Sequence, residues 1–306
     1  MPEELVEQAH SLGMAALGVC DRDGVYGMVR AWKRSTDLGL DVLHGALLTL
    51  RDPRMDQVSK GKGPDRRGLV EVLAYARDAR GWRSLCELLS LGRADQDKGT
   101  SLLELEQLMG HLEGLVLLID GSWPAQELAQ AAGDALYVHT WRHLRASDGP
   151  REQQAVRFAQ TVDRPLVAVN RPLMHSPDRQ QLQDVLTCIR RRCSIDQAGL
   201  ALQSNAERHL KSPGAMCQLF HDQPGWIRRS LEIAERCAFR LDQITYQYPR
   251  EVVPPGLTPI QHLRALVEEG LRWRWPQGPP AQVPPQIEHE LELIEPSLFF
   301  RRAPGS

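Results

Sequence analysis

The segment GLVLLIDGSWPAQELAQAAGDALYVHT, Gly114 to Thr140, carries the pattern that decides the fold. GLVLLID is a continuous apolar run closed by an acid, the clearest strand in the chain. Pro124 to Ala132 then spaces its apolar residues as a helix does, and Ala135 to Thr140 returns to an extended apolar run. Strand, helix and strand with short links between them call for parallel strands joined by a crossover helix.

The alternation extends in both directions. Upstream, Leu5, Val6, Ala9 and Leu12 form one stripe of a helix starting at Pro2, Ala15 to Cys20 is a short strand, and Val25 to Arg34 is helical. Asp41 to Leu50 and Gly68 to Ala76 read as strands, Asp78 to Leu91 as a helix with Trp82, Leu85, Leu88 and Leu89 on one side, and Ser101 to Met109 as a shorter helix. Downstream, helix Arg151 to Val162 leads into strand Pro165 to Asn170 and helix Asp178 to Arg192. This order predicts an α/β fold built on a mainly parallel sheet, open or closed into a barrel. From Ser204 onward only helices are expected, at Pro213 to Phe220, Pro224 to Cys237, Thr258 to Trp273 and Gln286 to Ile294, the last stopping at Pro296. Proline-rich connectors, YQYPREVVPPG and WPQGPPAQVPPQ, separate them.

The 306 residues are 42% hydrophobic and 25% charged, and no window approaches a membrane span. Lys+Arg 37 against Asp+Glu 39 leaves a formal charge of −2, so any contact with nucleic acid must be local. Six cysteines without CxxC spacing read as reduced core thiols of a cytoplasmic protein, and the acidic, amphipathic start is unlike a secretory signal.

Local chemistry is sparse. Asp21-Arg22-Asp23-Gly24 follows a strand, where barrel and open-sheet proteins place ligands, but a DG turn whose acids cap the next helix explains it as well. His139 and His143 in HTWRH have metal-ligand spacing without the accompanying glutamate, and read as structural. Cys188 and Cys193, taken on one helix, fall on different faces and make a poor zinc pair. The arginine runs Arg190–Arg192, Arg228–Arg229 and Arg301–Arg302 suit a solvated face or phosphate contacts. No glycine-rich phosphate loop, GxSxG or HExxH occurs.

Longer motifs carry a resemblance. PLMHSPDRQQLQDVLTCIR, SNAERHLKSP, LEIAERCAFRLDQITYQYPREVVPPGLTP and IEHELELI resemble the bacterial C-family DNA polymerases, the α-type replicative subunits, most closely their error-prone translesion branch. PEELVEQAHSLGMAALGVCDRDGVYGMVRA and ARDARGWRSLCELLS are similar to the start of the PHP domain (polymerase and histidinol phosphatase) of the same polymerases.

The resemblance implies a distorted seven-stranded β/α barrel over residues 1–200, its helical completion and a connector over 201–257, and over 258–306 the first helix of a palm domain that this sequence does not continue. The barrel's first strand, with its HxH motif, is expected to be missing ahead of Pro2. Active PHP domains hold zinc or manganese ions that activate water for phosphoester hydrolysis, in some polymerases as a 3′–5′ exonuclease. Position by position, the Asp-His pair after the second strand corresponds to Asp21 and Arg22, the next acidic ligand to Leu47, and a histidine opening a later strand to Glu71. The Asp-x-His of the late strand corresponds to Arg171 and Leu173, with His175 at a further histidine position. Asp21, Glu71 and His175 are then vestiges, ligands are lost at Arg22, Leu47, Arg171 and Leu173, and no metal or other cofactor is expected. Arg22 and Arg171 are expected to pair with Asp21 and Glu71. The expected partners are the remaining polymerase domains or DNA repair proteins, with DNA met only indirectly and no membrane. The competing expectations are a stand-alone PHP-type metal-dependent phosphoesterase and an adaptor that binds a polymerase partner.

Overall fold

The computed structural model describes residues 1–55, 68–244 and 253–299, with Pro296 to Phe299 described by backbone alone. The first half runs α1 (Pro2–Ser11), β1 (Ala16–Arg22), α2 (Met28–Leu38), β2 (Asp41–Arg51), β3 (Leu69–Ala76), α3 (Ala79–Ala94), β4 (Leu103–Glu104) and α4 (Leu105–Met109). It continues with β5 (Leu115–Asp120), α5 (Gln126–Ala132), β6 (Leu136–Thr140), α6 (Asp148–Val162) and β7 (Leu166–Ala168). Helices follow: α7 (Gln180–Arg191), α8 (Ile195–Ala198), α9 (Pro213–Leu219), α10 (Pro224–Arg236), α11 (Pro259–Arg274) and α12 (Val283–Phe299).

The strands form one open, curled sheet in the order β1-β2-β3-β5-β6-β7, with the two-residue β4 beside β2. Pairing is parallel at β1–β2, β5–β6 and β6–β7 but antiparallel on both sides of β3, so β3 alone runs against the others. This is the α/β fold on a mainly parallel sheet expected from the alternation, here curled into a half-barrel, with one reversal that alternation does not reveal. Among the described residues β1 and β7 do not pair with each other and are the sheet's edges.

Both faces of β5 are covered, which is why its sequence is continuously apolar. Leu115, Leu117 and Ile119 pack in the core beneath α3, α4, α5 and α6, while Val116 and Leu118 face Ile233 of α10 and Cys237, which follows that helix. A third cluster joins Val6 and Ala9 of α1 and Met28 and Ala31 of α2 to Leu17 and Val42. Helix α3 starts under an Asp78 cap, whose carboxylate accepts from Arg80 N and Gly81 N at 3.0 Å each. Gly81 lets α3 lie against the turn entering β5: a Cβ there would fall 1.9 Å from Gly114 O.

Several boundaries differ from the expectations. Ser101 to Met109 splits into β4 and the one-turn α4, and the last strand contracts from Pro165–Asn170 to Leu166–Ala168. Helix α12 begins earlier and runs past Pro296; Pro284 and Pro285 sit in its first turn, where the missing N–H has no helical partner, and Pro296 sits near its end. The thiols are less uniformly core than expected: Cys188 and Cys237 are buried, and Cys217 is exposed. Two compact units result, Met1–Ile244 and Thr245–Ser306. Most of YQYPREVVPPG, and Arg301 and Arg302, lie outside the described residues.

Candidate functional site

Because β3 is reversed, its beginning lies where its neighbours end. Glu71, third in β3, is paired in register with Thr49 near the end of β2, and Arg22 closes β1 beside Leu47. Arg171 follows β7 by three residues. One end of the sheet therefore collects side chains from both edges and the middle.

Glu71 joins them. Its Oε1 accepts from Arg22 Nη2 at 2.6 Å and its Oε2 from Arg171 Nη2 at 2.5 Å. Burial alone pushes the Glu71 carboxyl up, but the charges of Arg171 and Arg22, with their hydrogen bonds, outweigh it and hold the pKa down at about 2. Arg22 Nη1 also reaches Thr49 Oγ1 at 3.3 Å.

Arg171 is unusual in its backbone, at φ 47°, a left-handed conformation that costs a non-glycine residue about 1 kcal/mol or more. The guanidinium of Arg208 holds it there, donating through Nε and Nη2 to Arg171 O at 3.0 and 2.9 Å. The Trp141 ring lies alongside, 5.0 Å from Arg171 Cζ and 4.0 Å from Arg151 Cζ. Arg208 is itself brought down to about 10, first by burial and then by the charges of Arg171 and Arg145.

The aspartates of the DRDG turn face elsewhere. Asp21 Oδ2 accepts from Gly27 N, the residue that caps α2, at 2.6 Å, and Asp21 has no ion pair with either arginine, contrary to the expected pairing. Asp23, at φ 51°, clamps β1 to β2 by accepting from Thr49 N at 2.7 Å and Thr49 Oγ1 at 2.8 Å. The turn forms, but the expected capping does not: Asp21 binds the backbone just ahead of α2, neither acid caps that helix, and Asp23 closes the strand pair. His175 sits beside α1, with Nδ1 4.0 Å from Glu4 Oε2. Among the described residues no hydrogen bond or ion pair joins Asp21, Glu71 and His175 to one another.

The other carried-over positions offer nothing to a metal. Leu47 is half-buried in β2, and Leu173 is partly exposed, its backbone N–H donating to Arg208 O at 2.7 Å. His139, in β6, is buried, and burial followed by the Arg171 charge lowers it to about 3. His143 Nε2 is 2.7 Å from Asn170 O, and burial lowers that ring to about 4. The two rings of HTWRH flank Trp141, at 5.3 and 6.1 Å between centroids. A zinc or manganese cluster does not fit these residues: both Glu71 oxygens are engaged by guanidinium groups, and among the described residues no three His, Cys, Asp or Glu side chains converge as ligands.

Cys188 and Cys193 do not share a helix. Helix α7 ends at Arg191, Arg192 turns left-handed, and the chain folds back so that Cys193 N donates to Cys188 O at 3.2 Å. Arg229 Nη1 donates to Leu166 O at 2.8 Å, serving the edge strand β7, whereas Arg190, Arg191 and Arg192 are exposed. Periodicity passes over Arg208 and Trp141, both in loops; the local signal for Trp141 is its place between two buried histidines.

The family model of the PHP domain matches residues 1–161. A Caulobacter vibrioides protein named error-prone DNA polymerase is 38% identical over 303 residues, covering 96% of this chain and 26% of the relative. Error-prone DNA polymerase from Alkalilimnicola ehrlichii is 38% identical over 299 residues, with 96% and 27% covered, and error-prone DNA polymerase 1 from Agrobacterium fabrum is 35% identical over 299 residues, with 95% and 26% covered. The chain spans about a quarter of the length of these relatives. A solved structure from Bifidobacterium adolescentis, assigned as a metal-dependent phosphoesterase, aligns with 56% of this chain and 81% of its own at 16% identity and a TM-score of 0.37. The family model covers more than half of the residues, and the chain belongs to the PHP domain family.

Proposed function

We propose that this chain is the PHP portion of an error-prone C-family DNA polymerase α-like protein, acting as a scaffold and not as a hydrolase. It then takes part in DNA replication and translesion repair in the cytoplasm as a buttress for polymerising domains, which make the direct DNA contacts. The supporting observation is the Arg22–Glu71–Arg171 bridge, which engages the carboxylate that a metal site at this end of the sheet would need. Two guanidinium groups where ligands are required oppose a divalent cation instead of holding it. The test is metal analysis of the purified chain after incubation with zinc and with manganese, alongside phosphatase and 3′–5′ exonuclease assays. The expected result is no stoichiometric metal and no turnover. Bound metal accompanied by turnover would overturn the reading in favour of a metal-dependent phosphoesterase.

A second reading, an adaptor for a polymerase partner, draws support from α7. Leu182, Val185, Leu186 and Ile189 recur at helical spacing and are all about half exposed or more. A groove of about 430 Å³, lined by Val185, Ile189, Cys193 and Ile195 among others, lies between that helix and α8. Gel filtration with the polymerase region of a full-length relative supplied in trans separates the two roles. Co-migration abolished by Leu186→Asp would favour the adaptor, and independent elution would remove it.

A further inference from the structure

The end of the sheet that gathers Glu71 carries more cationic donors than its carboxylate uses. Arg22 and Arg171 each give one Nη2 to Glu71, and Arg208 gives Nε and Nη2 to the Arg171 carbonyl. Among the described residues Arg171 Nε and Nη1, Arg208 Nη1 and Arg22 Nε have no hydrogen-bond partner. Asp23, whose charge also acts on Arg22, engages both of its oxygens with Thr49, and Asp21 is held by Gly27. Glu71 thus accepts from two of three adjoining guanidinium groups, and among the described residues no other carboxylate accepts from any of the three. Arg22 opens the cluster to water, its side chain being 44% exposed, while Arg171 is 17% exposed.

We infer that this arginine cluster binds a phosphate dianion, either inorganic phosphate or the terminal phosphate of a nucleotide chain. Guanidinium forks match phosphate oxygens two at a time, and a phosphate offers three terminal oxygens and close to two negative charges, where a carboxylate offers two oxygens and one charge. Of the three, Arg171 also lies beside the Trp141 ring, 5.0 Å from its Cζ to the ring centroid, a contact made ahead of binding. The ligand competes with Glu71 for the same donors, and this gives the inference its sign. Neutralising Glu71 frees both Nη2 groups, and affinity rises.

The inference rests on the reading that no metal occupies this end of the sheet. Its test is phosphorus-31 line broadening and thermal shift with inorganic phosphate, against chloride at equal ionic strength, on protein treated with EDTA. The expected result is saturable binding in the millimolar range, tightened about tenfold in Glu71→Gln and weakened about tenfold in Arg22→Gln, the substitution at the most exposed of the three arginines. Displacement by a 5′-phosphorylated dinucleotide but not by the unphosphorylated one would support a chain-terminal phosphate; lack of displacement by either would support the free anion. No saturable effect in Glu71→Gln, or equal affinity in Glu71→Gln and the native chain, overturns the inference while leaving the scaffold reading intact. Binding that vanishes with EDTA and returns with zinc or manganese overturns the scaffold reading instead.

Discussion

Replacing Glu71 by glutamine keeps the shape of the side chain and removes the charge shared by Arg22 and Arg171. The Glu71 pKa of about 2, against an ordinary glutamate value of 4.5, corresponds to about 3 kcal/mol at 1.36 kcal/mol per unit. Arg22 is 44% exposed, and solvent screening there brings the expected loss nearer 2 kcal/mol. That is a fall in Tm of about 4–8 °C for a unit of this size. The pH dependence identifies the source. A carboxyl with a depressed pKa in the folded state stabilises fully above its unfolded pKa and loses that contribution as pH falls through the folded one. The gap between native and Glu71→Gln chains is therefore widest above about pH 5, has lost about two-fifths by pH 3.5, and closes toward pH 2. Urea denaturation of both proteins at pH 7, 5 and 3.5 measures it. A gap below about 0.5 kcal/mol at pH 7, or one that stays constant down to pH 3.5, would refute the assignment of the Glu71 shift to its two arginines.

Three further outcomes follow from the same structure. Trp123→Phe removes the buried Nε1 donor that holds Asp52 Oδ2 at 2.7 Å and is expected to cost about 2 kcal/mol, less than an orphaned carboxylate would because Arg54 still binds Asp52; urea midpoints check it. Gly81→Ala drives a methyl into Gly114 O and is expected to destabilise by about 3 kcal/mol, whereas Gly149→Ala, with open space around it, should be nearly silent. His139, with a folded pKa of about 3, stays neutral throughout the range in which an ordinary histidine titrates, so its ring proton shifts should be flat from pH 8 to 5; its contribution to stability is complete above the unfolded pKa near 6.5 and is lost as pH falls toward 3.

Which of these features the sequence makes legible depends on the length over which each one is written. The β/α alternation is legible because β5 and β6 lie buried between helical layers, so every residue from Leu115 to Ile119 is apolar and burial leaves an unbroken trace. The direction of β3 is not legible. LVEVLAYA alternates half-buried and buried positions and reads identically whichever way the strand runs, and only its antiparallel pairing with β2 and β5 takes Glu71 to the end where β1 and β7 finish. Arg22, Glu71 and Arg171 are visible only through resemblance to a family, because nothing in their spacing, 49 and 100 residues apart, brings them together. Arg208 leaves no trace, since its role is to hold a carbonyl in place from within a loop. The cysteine pair was misplaced by a single left-handed residue: Arg192 ends α7, and the helical geometry that separates the two thiols no longer applies.

The bridge also bears on why the sheet is curled. β1 and β7 are opposite edges of a six-strand path, and in a flat sheet they would stand about 24 Å apart at about 4.8 Å per step. Arg22, at the end of one edge, and Arg171, beyond the end of the other, nevertheless bind the two oxygens of one carboxylate on β3. Glu71 is therefore a strap across the mouth of a half-barrel whose edges do not hydrogen-bond to each other. An ion pair that joins distant elements acts on shape as well as on stability, since breaking it releases both edges at once. Neutralising Glu71 should then do more than lower Tm. Amide exchange in the last residues of β1 and in β7 should quicken selectively, while β5, held on both faces by α3 and α10, keeps its protection. Uniform quickening across all strands would show that the curl is set by helix packing alone and that the bridge only decorates it.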